Sequence, residues 1–244
     1  MKIVCMIPAR LGSKRVPHKN LRILAGKILM GHVIDKAKKS GCFDAIYINS
    51  ESPIFKKVAD KYDVKFYQRP PEMASDEALN DDFVLDFIDG IAEEERSFMD
   101  DSEPYDIIVQ INPTNPLITV DDIKAVVGMS KYYDTVHSVK KAQIELMYER
   151  KPVNFSNMEK MPRSQELVPA ILFSSGIMAW KIKPYREHMT KYGCATYGCG
   201  ENTGYYELKG FSTVDIDNEE DFQLVEAILK MEPEVIEYYG PHRK

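Results

Sequence analysis

No run of apolar residues in this chain approaches the length of a membrane span, and the first apolar stretch is short and breaks at Pro8-Ala9-Arg10. A transmembrane helix and an N-terminal signal peptide are therefore not expected. Basic excess is also missing. The 244 residues carry a formal charge of −6, which argues against a general DNA or RNA binder, since such proteins usually show surplus positive charge. Cysteine is sparse: Cys5, Cys42, Cys194 and Cys199. Cys5 and Cys42 read as buried thiols. Cys194 and Cys199 form a C-x4-C spacing with neither a second Cys pair nor a His pair nearby, so a zinc site is not expected. A reduced, cytoplasmic protein is the simplest expectation. The phosphate motif G-x-x-x-x-G-K-S/T and the dinucleotide fingerprint G-x-G-x-x-G are both lacking. The chain shows no internal repeat and no low-complexity segment.

What is present begins near the start. An apolar run, Ile3 to Met6, leads into Ile7-Pro8-Ala9-Arg10-Leu11-Gly12-Ser13-Lys14-Arg15-Val16-Pro17-His18-Lys19-Asn20. A buried strand thus feeds a loop holding four cations, a Gly and a Ser. Gly12 allows close backbone approach, free N–H groups can meet phosphate oxygens, and Arg10, Lys14 and Lys19 add charge-assisted contacts. Against the acidic background this pattern fits a small polyphosphate better than a polymer. The bland alternative is a solvated basic loop. Strand ends are also where open α/β sheets hold ligands.

Strand-like and helix-like segments alternate. Strands are expected at 2–6, 45–49, 65–67, 106–110, 135–139 and 176–182. Helices are expected at 29–39, 54–62, 81–95, 121–130 and 218–229. The order implies an α/β fold with a mostly parallel sheet covered by helices on both faces. A single domain over 1–244 is expected. From about 140 to 170 the pattern loosens around Pro152, Asn154, Asn157, Pro162 and Pro169, which reads as an inserted arm, either for dimerisation or as a lid, or as a plain surface loop. The Gly- and Tyr-rich stretch 190–206 reads as a loop.

Three further clusters carry candidate chemistry. In Val214-Asp215-Ile216-Asp217 an extended backbone would put Asp215 and Asp217 on one face, where two carboxylates can hold a hard cation such as Mg²⁺. Alternatively, Asp217 caps the helix that follows. In Arg69-Pro70-Pro71-Glu72-Met73-Ala74-Ser75-Asp76, with Asn80 beyond it, Arg69 and Asn80 could read a base edge, or the loop is a turn with an ordinary cap. In Asn112-Pro113-Thr114-Asn115-Pro116-Leu117 two prolines stiffen a loop at a strand end, where Asn112 and Thr114 would meet a substrate.

These clusters, in this order, resemble the acylneuraminate cytidylyltransferases, the CMP-sialic acid synthetases. Their opening I-x-A-R-x-x-S-K-x-x-P-x-K-N is matched by Ile7, Ala9, Arg10, Ser13, Lys14, Pro17, Lys19 and Asn20. R-P-x-E-x-A-S-D is matched from Arg69 to Asp76, P-T-S-P-L by Pro113 to Leu117, and the late D-I-D by Asp215 to Asp217. The resemblance implies a Rossmann-like nucleotidyltransferase and a homodimer. It implies CTP held by Ala9, Arg10, Gly12, Ser13, Lys14, Asn20, Arg69 and Asn80, with Mg²⁺ on Asp215 and Asp217. Arg163 matches a family position near the sugar acid, and Gln165 beside it is grouped with it. Arg10, Lys14 and Lys19 are the candidate electrostatic catalysts. The sequence departs from the family on the sugar side: Asn112 replaces Gln, Ile118 replaces Arg, and R-P-N-G becomes Phe173-Ser174-Ser175-Gly176. Nucleotidyl transfer to another sugar acid or a phosphorylated polyol is one alternative function. A non-catalytic sugar-nucleotide sensor is another.

Overall fold

The computed structural model describes residues 1–95, 103–199 and 202–231. In chain order the elements are β1 (Ile3–Pro8), a small hairpin of β2 (Ile23–Leu24) and β3 (Lys27–Ile28), α1 (Leu29–Ser40), β4 (Ala45–Ser50), α2 (Ile54–Tyr62), β5 (Lys65–Gln68) and α3 (Asn80–Glu95). There follow β6 (Ile107–Ile111), α4 (Val120–Ser130), β7 (Thr135–Ala142), the short hairpin β8 (Met147–Tyr148) and β9 (Lys151–Pro152), β10 (Ala170–Lys181), α5 (Ile182–Tyr192), β11 (Thr203–Glu207) and α6 (Glu219–Lys230).

Seven strands form one sheet in the order β11-β7-β10-β6-β1-β4-β5. β1 pairs in parallel with β4 and β6, β4 with β5, and β11 with β7. Only β10 runs the other way, antiparallel to both β6 and β7. The mostly parallel α/β sheet expected from sequence is therefore present.

Burial explains why β1 reads as a continuous apolar run. Ile3, Cys5 and Ile7 enter one core layer with Met30, Val33, Ile34 and Ile48, while Val4 and Met6 enter the other with Phe87, Ile88 and Trp180. A strand covered on both faces has no polar side to show. A third cluster joins Val16, Leu24, Leu29, Ile216, Phe222 and Val225. It fastens the basic loop, the β2–β3 hairpin, the Asp215 segment and α6 to one another, which matters for the site below.

Three expectations change. β10 begins at Ala170 rather than Gly176, because its first half pairs only with the outer part of β7, from Ala170 opposite Ala142 to Phe173 opposite Val139. The register then shifts between Phe173 and Met178. This leading half opens on the apolar run Ala170-Ile171-Leu172-Phe173 but is left intermediate or exposed throughout, whereas the second half is buried. The arm is thus a two-stranded ribbon whose outer end, 143–169, carries the β8–β9 hairpin. The stretch 190–206 is not a single loop. It contains the end of α5, terminated by Gly193 at φ 72°, and most of β11, whose pairing partner lies about 70 residues earlier in the chain. Residues 200 and 201 of that stretch, and the ends of the 1–244 span beyond 231, lie outside the described residues. Cys42 is half-buried, whereas Cys5 is buried as expected, and all four cysteines are unpaired.

Candidate active site

Four parallel strands end side by side, and each hands its next residue to the same place. β1 is followed by Ala9, β4 by Glu51, β5 by Arg69 and β6 by Asn112. The chain moves outward from β1 to β4 and β5, then returns to β6 on the other side of β1, which makes a topological switch point beside β1. A cavity of about 450 Å³ opens there. Its lining includes Ala9, Arg10, Ser13, Lys14, Lys19, Asn20, Arg69, Asn112, Thr114 and Asp217 from the sequence reading.

The basic loop is held from both ends. The Leu11 N–H donates to Glu51 Oε1 at 2.8 Å. Val16, 1% exposed, is sunk into the third core cluster. Lys19 Nζ donates to the Ile216 carbonyl at 2.5 Å, so the loop is also tied to the segment bearing both aspartates. Burial lowers the Lys19 pKa, and the charges of Asp215 and Asp217 oppose that shift. Asn20 is buried, and its Oδ1 has no hydrogen-bond partner among the described residues although the residue lines the cavity. A buried acceptor without a partner is costly and calls for a donor. Gly12 stands outside the lining, and a Cβ there would meet nothing within 4 Å, so the fold itself does not require glycine at this position.

Arg69 is only 4% exposed. Its Nη2 donates to the Ala9 carbonyl at 3.1 Å and lies 3.6 Å from Glu51 Oε2, while its guanidinium sits 5.2 Å from the Phe83 ring centroid. Burial pushes its pKa down and Glu51 opposes that. Its Nε is a buried donor with no partner among the described residues. The side chain is thus fixed in place with one donor to spare.

Asp215 and Asp217 flank Ile216, which is fully buried. The segment is not a sheet strand. The Ile216 N–H donates to the Thr114 carbonyl at 2.8 Å and Asn115 Nδ2 to the Val214 carbonyl at 3.2 Å. Asn115 is itself fully buried, so the proline-stiffened loop after β6 clamps the backbone on both sides of Asp215. Asp217 does not cap the following helix: Asn218 does, in a reciprocal pair with Asp221. Asp217 instead lies 3.1 Å from Arg15 Nη1. Burial raises the Asp215 carboxyl, Asp217 adds to the rise, and Thr114 and Lys19 oppose it. Its Oδ1 is buried without a partner among the described residues. Asp217 lines the cavity and Asp215, with the orphaned acceptor, lies outside the lining two residues away; two such carboxylates suit a hard cation that takes its other ligands from phosphate and water. Among the described residues no group of three or more His, Cys, Asp or Glu side chains could hold a metal by itself.

Other candidates fall elsewhere. Asn80, the first residue of α3, is outside the cavity lining; its Nδ2 donates to Thr196 Oγ1 at 3.2 Å and its Oδ1 accepts from Gln110 Nε2 at 2.9 Å. Gln110 Nε2 also donates to Asn112 Oδ1 at 3.0 Å, so Asn80 joins the amide network on the Asn112 side. Arg163 and Gln165 lie on the exposed ribbon tip. The Arg163 side chain is 84% exposed, faces Glu166, and does not reach the cavity of its own chain. Ile118 is fully buried core. Sequence reasoning missed Glu51, Phe83 and the role of Asp76, which pairs with Arg10 and Lys14. Glu51 had one available signal, its place directly after a strand.

The structure is that of an α/β protein with a cation-lined cavity at the switch point of a mostly parallel sheet and Asp217 at the cavity's edge. A cytidylyltransferase family model matches residues 4–228, and the chain belongs to that family. It is 28% identical over 232 residues to the N-acylneuraminate cytidylyltransferase of Streptococcus agalactiae serotype V, covering 91% of this chain and 52% of that one. The chain therefore spans about half the length of that relative. It is 27% identical over 245 residues to the CMP-N,N'-diacetyllegionaminic acid synthase of Legionella pneumophila, covering 97% and 100% of the two chains. Its fold is similar to that of CMP:2-keto-3-deoxy-manno-octonic acid synthetase complexed with CTP, with TM-score 0.67, 18% identity, and coverage of 94% and 98%.

Proposed function

We propose that the chain is a CTP-dependent cytidylyltransferase. It converts a nonulosonic, sialic-acid-like sugar acid to its CMP-sugar and releases pyrophosphate. The observation that carries this reading is the strand-end cavity, where Arg10, Lys14 and Lys19 face the Asp217 edge in a chain of the cytidylyltransferase family. The anomeric hydroxyl attacks the α-phosphorus in line and gives up its proton to solvent water, the bond to the bridging oxygen breaks, and that oxygen leaves with pyrophosphate. Positioning and charge stabilisation do most of the work. Arg10 and Lys14 hold phosphate oxygens. Lys19, tied to Ile216, stands between the phosphates and the aspartates. Asp215 and Asp217 would hold Mg²⁺, which when bound neutralises charge that grows on the phosphates. Arg69, fixed by Glu51 and Ala9, and Phe83 form the wall for the cytosine; Asn80, outside the lining, acts only through Gln110 on Asn112. Asn112 and Thr114 face the sugar acid. Arg163 and Gln165 take part if the ribbon of a second copy reaches over the cleft, which fits a homodimer. The reaction belongs in the cytoplasm.

Nucleotide protection against heat tests this reading. With Mg²⁺ present, CTP at a hundred times its Kd should stabilise the fold by about 2.7 kcal/mol, seen as a raised Tm. ATP and GTP should raise Tm far less. Equal shifts for all three would remove the cytosine assignment.

A further inference from the structure

The cations of the basic loop already have a protein partner. Asp76 lines the same cavity from the loop that follows Arg69, 66 residues further along the chain than Arg10. Its Oδ1 accepts from Arg10 Nη1 at 2.9 Å, and its Oδ2 pairs with Lys14 Nζ. One carboxylate thus engages both cations best placed to meet phosphate oxygens. Lys14 and Arg10 hold the Asp76 carboxyl below its ordinary value, so it is ionised at neutral pH. The Asp76 side chain is 49% exposed and Lys14 76% exposed, so these are solvent-reached contacts that a stronger anion can displace.

We infer that Asp76 is a built-in competitor for the polyphosphate: it shares Arg10 and Lys14 with the ligand, and so limits how tightly triphosphate is held and eases the departure of pyrophosphate. This rests on reading the cavity as a polyphosphate site. A triphosphate carries several charges and forms charge-assisted hydrogen bonds, so it wins the cations. Part of that gain is returned because the Asp76 pairs are broken and its like charge stays near. After transfer the leaving pyrophosphate faces the same competitor, which can re-pair with both cations as it goes. Asp76 is seven residues from Arg69 on one loop, so its displacement also links phosphate occupancy to the loop that carries the proposed base-reading residue.

The test is calorimetric titration of the full chain with inorganic triphosphate and with pyrophosphate at fixed ionic strength, once with EDTA and once with Mg²⁺. Asp76→Asn should bind both anions more tightly, by at least about threefold, the size expected from lifting exposed ion pairs. The gain should be present with EDTA, and pyrophosphate should inhibit the variant's turnover more strongly than the parent's. Asp76→Glu keeps the charge and should stay near the parent. Asp76→Ser should behave like Asp76→Asn, separating loss of charge from a new amide contact. Unchanged or weaker anion binding in both neutral variants would show that Asp76 orients the cations rather than competing for them. A loss seen only with Mg²⁺ would make it a metal ligand and overturn the inference. A parent chain that binds no triphosphate at all would overturn the polyphosphate reading itself, and this inference with it.

Discussion

At the residue scale the site turns on charges that the fold has partly desolvated. Asp215 is the clearest: half-buried, with one buried oxygen unpartnered among the described residues and its carboxyl pushed up by desolvation and by Asp217. An ionised carboxylate in that position calls for a cation. Asp215→Asn and Asp217→Asn should therefore each lose most turnover while CTP affinity falls less, because the cation meets charge that grows in the transition state. Near-normal turnover in both would end the metal assignment. A pH dependence follows with a definite sign. A raised carboxyl keeps its proton to higher pH, and a cation must displace that proton. Mg²⁺ affinity should thus fall on acidification at a pH above that of an ordinary carboxylate, and Asp215→Asn should lose that step. At this scale the basic loop, Arg69 and the aspartate pair were legible, because their residue types cluster locally. The pairing of Arg69 with Glu51 and of Arg10 with Asp76 was not, since each joins segments far apart in sequence. Arg163 was read from a motif, and a motif does not show that its segment sits on an exposed tip.

At the element scale the strands and helices that position the site were largely readable, for a physical reason. β1, β4 and β6 are buried on both faces, and α1 to α4 show periodic apolar faces. What escaped was β11 and the first half of β10. Both are held by partners elsewhere in the chain; β11 has no continuous apolar run, and the short run at the start of β10 follows the proline- and asparagine-broken stretch of the arm. α3 shows how tightly the layers meet. A Cβ at Gly90 would lie 2.3 Å from Tyr67 ring and hydroxyl atoms, and Tyr67 in turn donates to the Asp86 carbonyl at 3.0 Å. Glycine here lets α3 lie close against β5, which leads into Arg69. Gly90→Ala gains up to about 1 kcal/mol of helix propensity. The forced shift of a buried tyrosine typically costs about 1–3 kcal/mol. The net expectation is a lower Tm in thermal denaturation; an unchanged or higher Tm would mean that the two elements part more easily than their packing implies.

At the scale of the whole molecule the ribbon stands out. Ile144, Met147, Tyr148, Val153, Met158, Met161, Val168, Ile171 and Phe173 are all exposed, and they concentrate in its outer part. A run of exposed apolar side chains on a projecting hairpin fits a contact between copies. The same contact would give Arg163 and Gln165 a cleft to reach. Light scattering after gel filtration should find a dimer, and the double variant Met147→Asp/Tyr148→Asp should shift it to monomer and weaken sugar-acid binding more than CTP binding. A parent chain that is monomeric at micromolar concentration would leave Arg163 without a route to the substrate.

The most direct test of the whole account is pyrophosphate release from CTP and Mg²⁺ in the presence of a panel of 2-keto-3-deoxy sugar acids, with the CMP-sugar product identified by mass. The account predicts release that depends on both CTP and one or more nonulosonic acids, with little from ATP or GTP. Because Ile118, Phe173 and Ser175 stand where the resembled family carries polar or cationic residues, N-acetylneuraminic acid should not be the best substrate of the panel. Release with no dependence on a sugar acid, or none from CTP with any member of the panel, would contradict it.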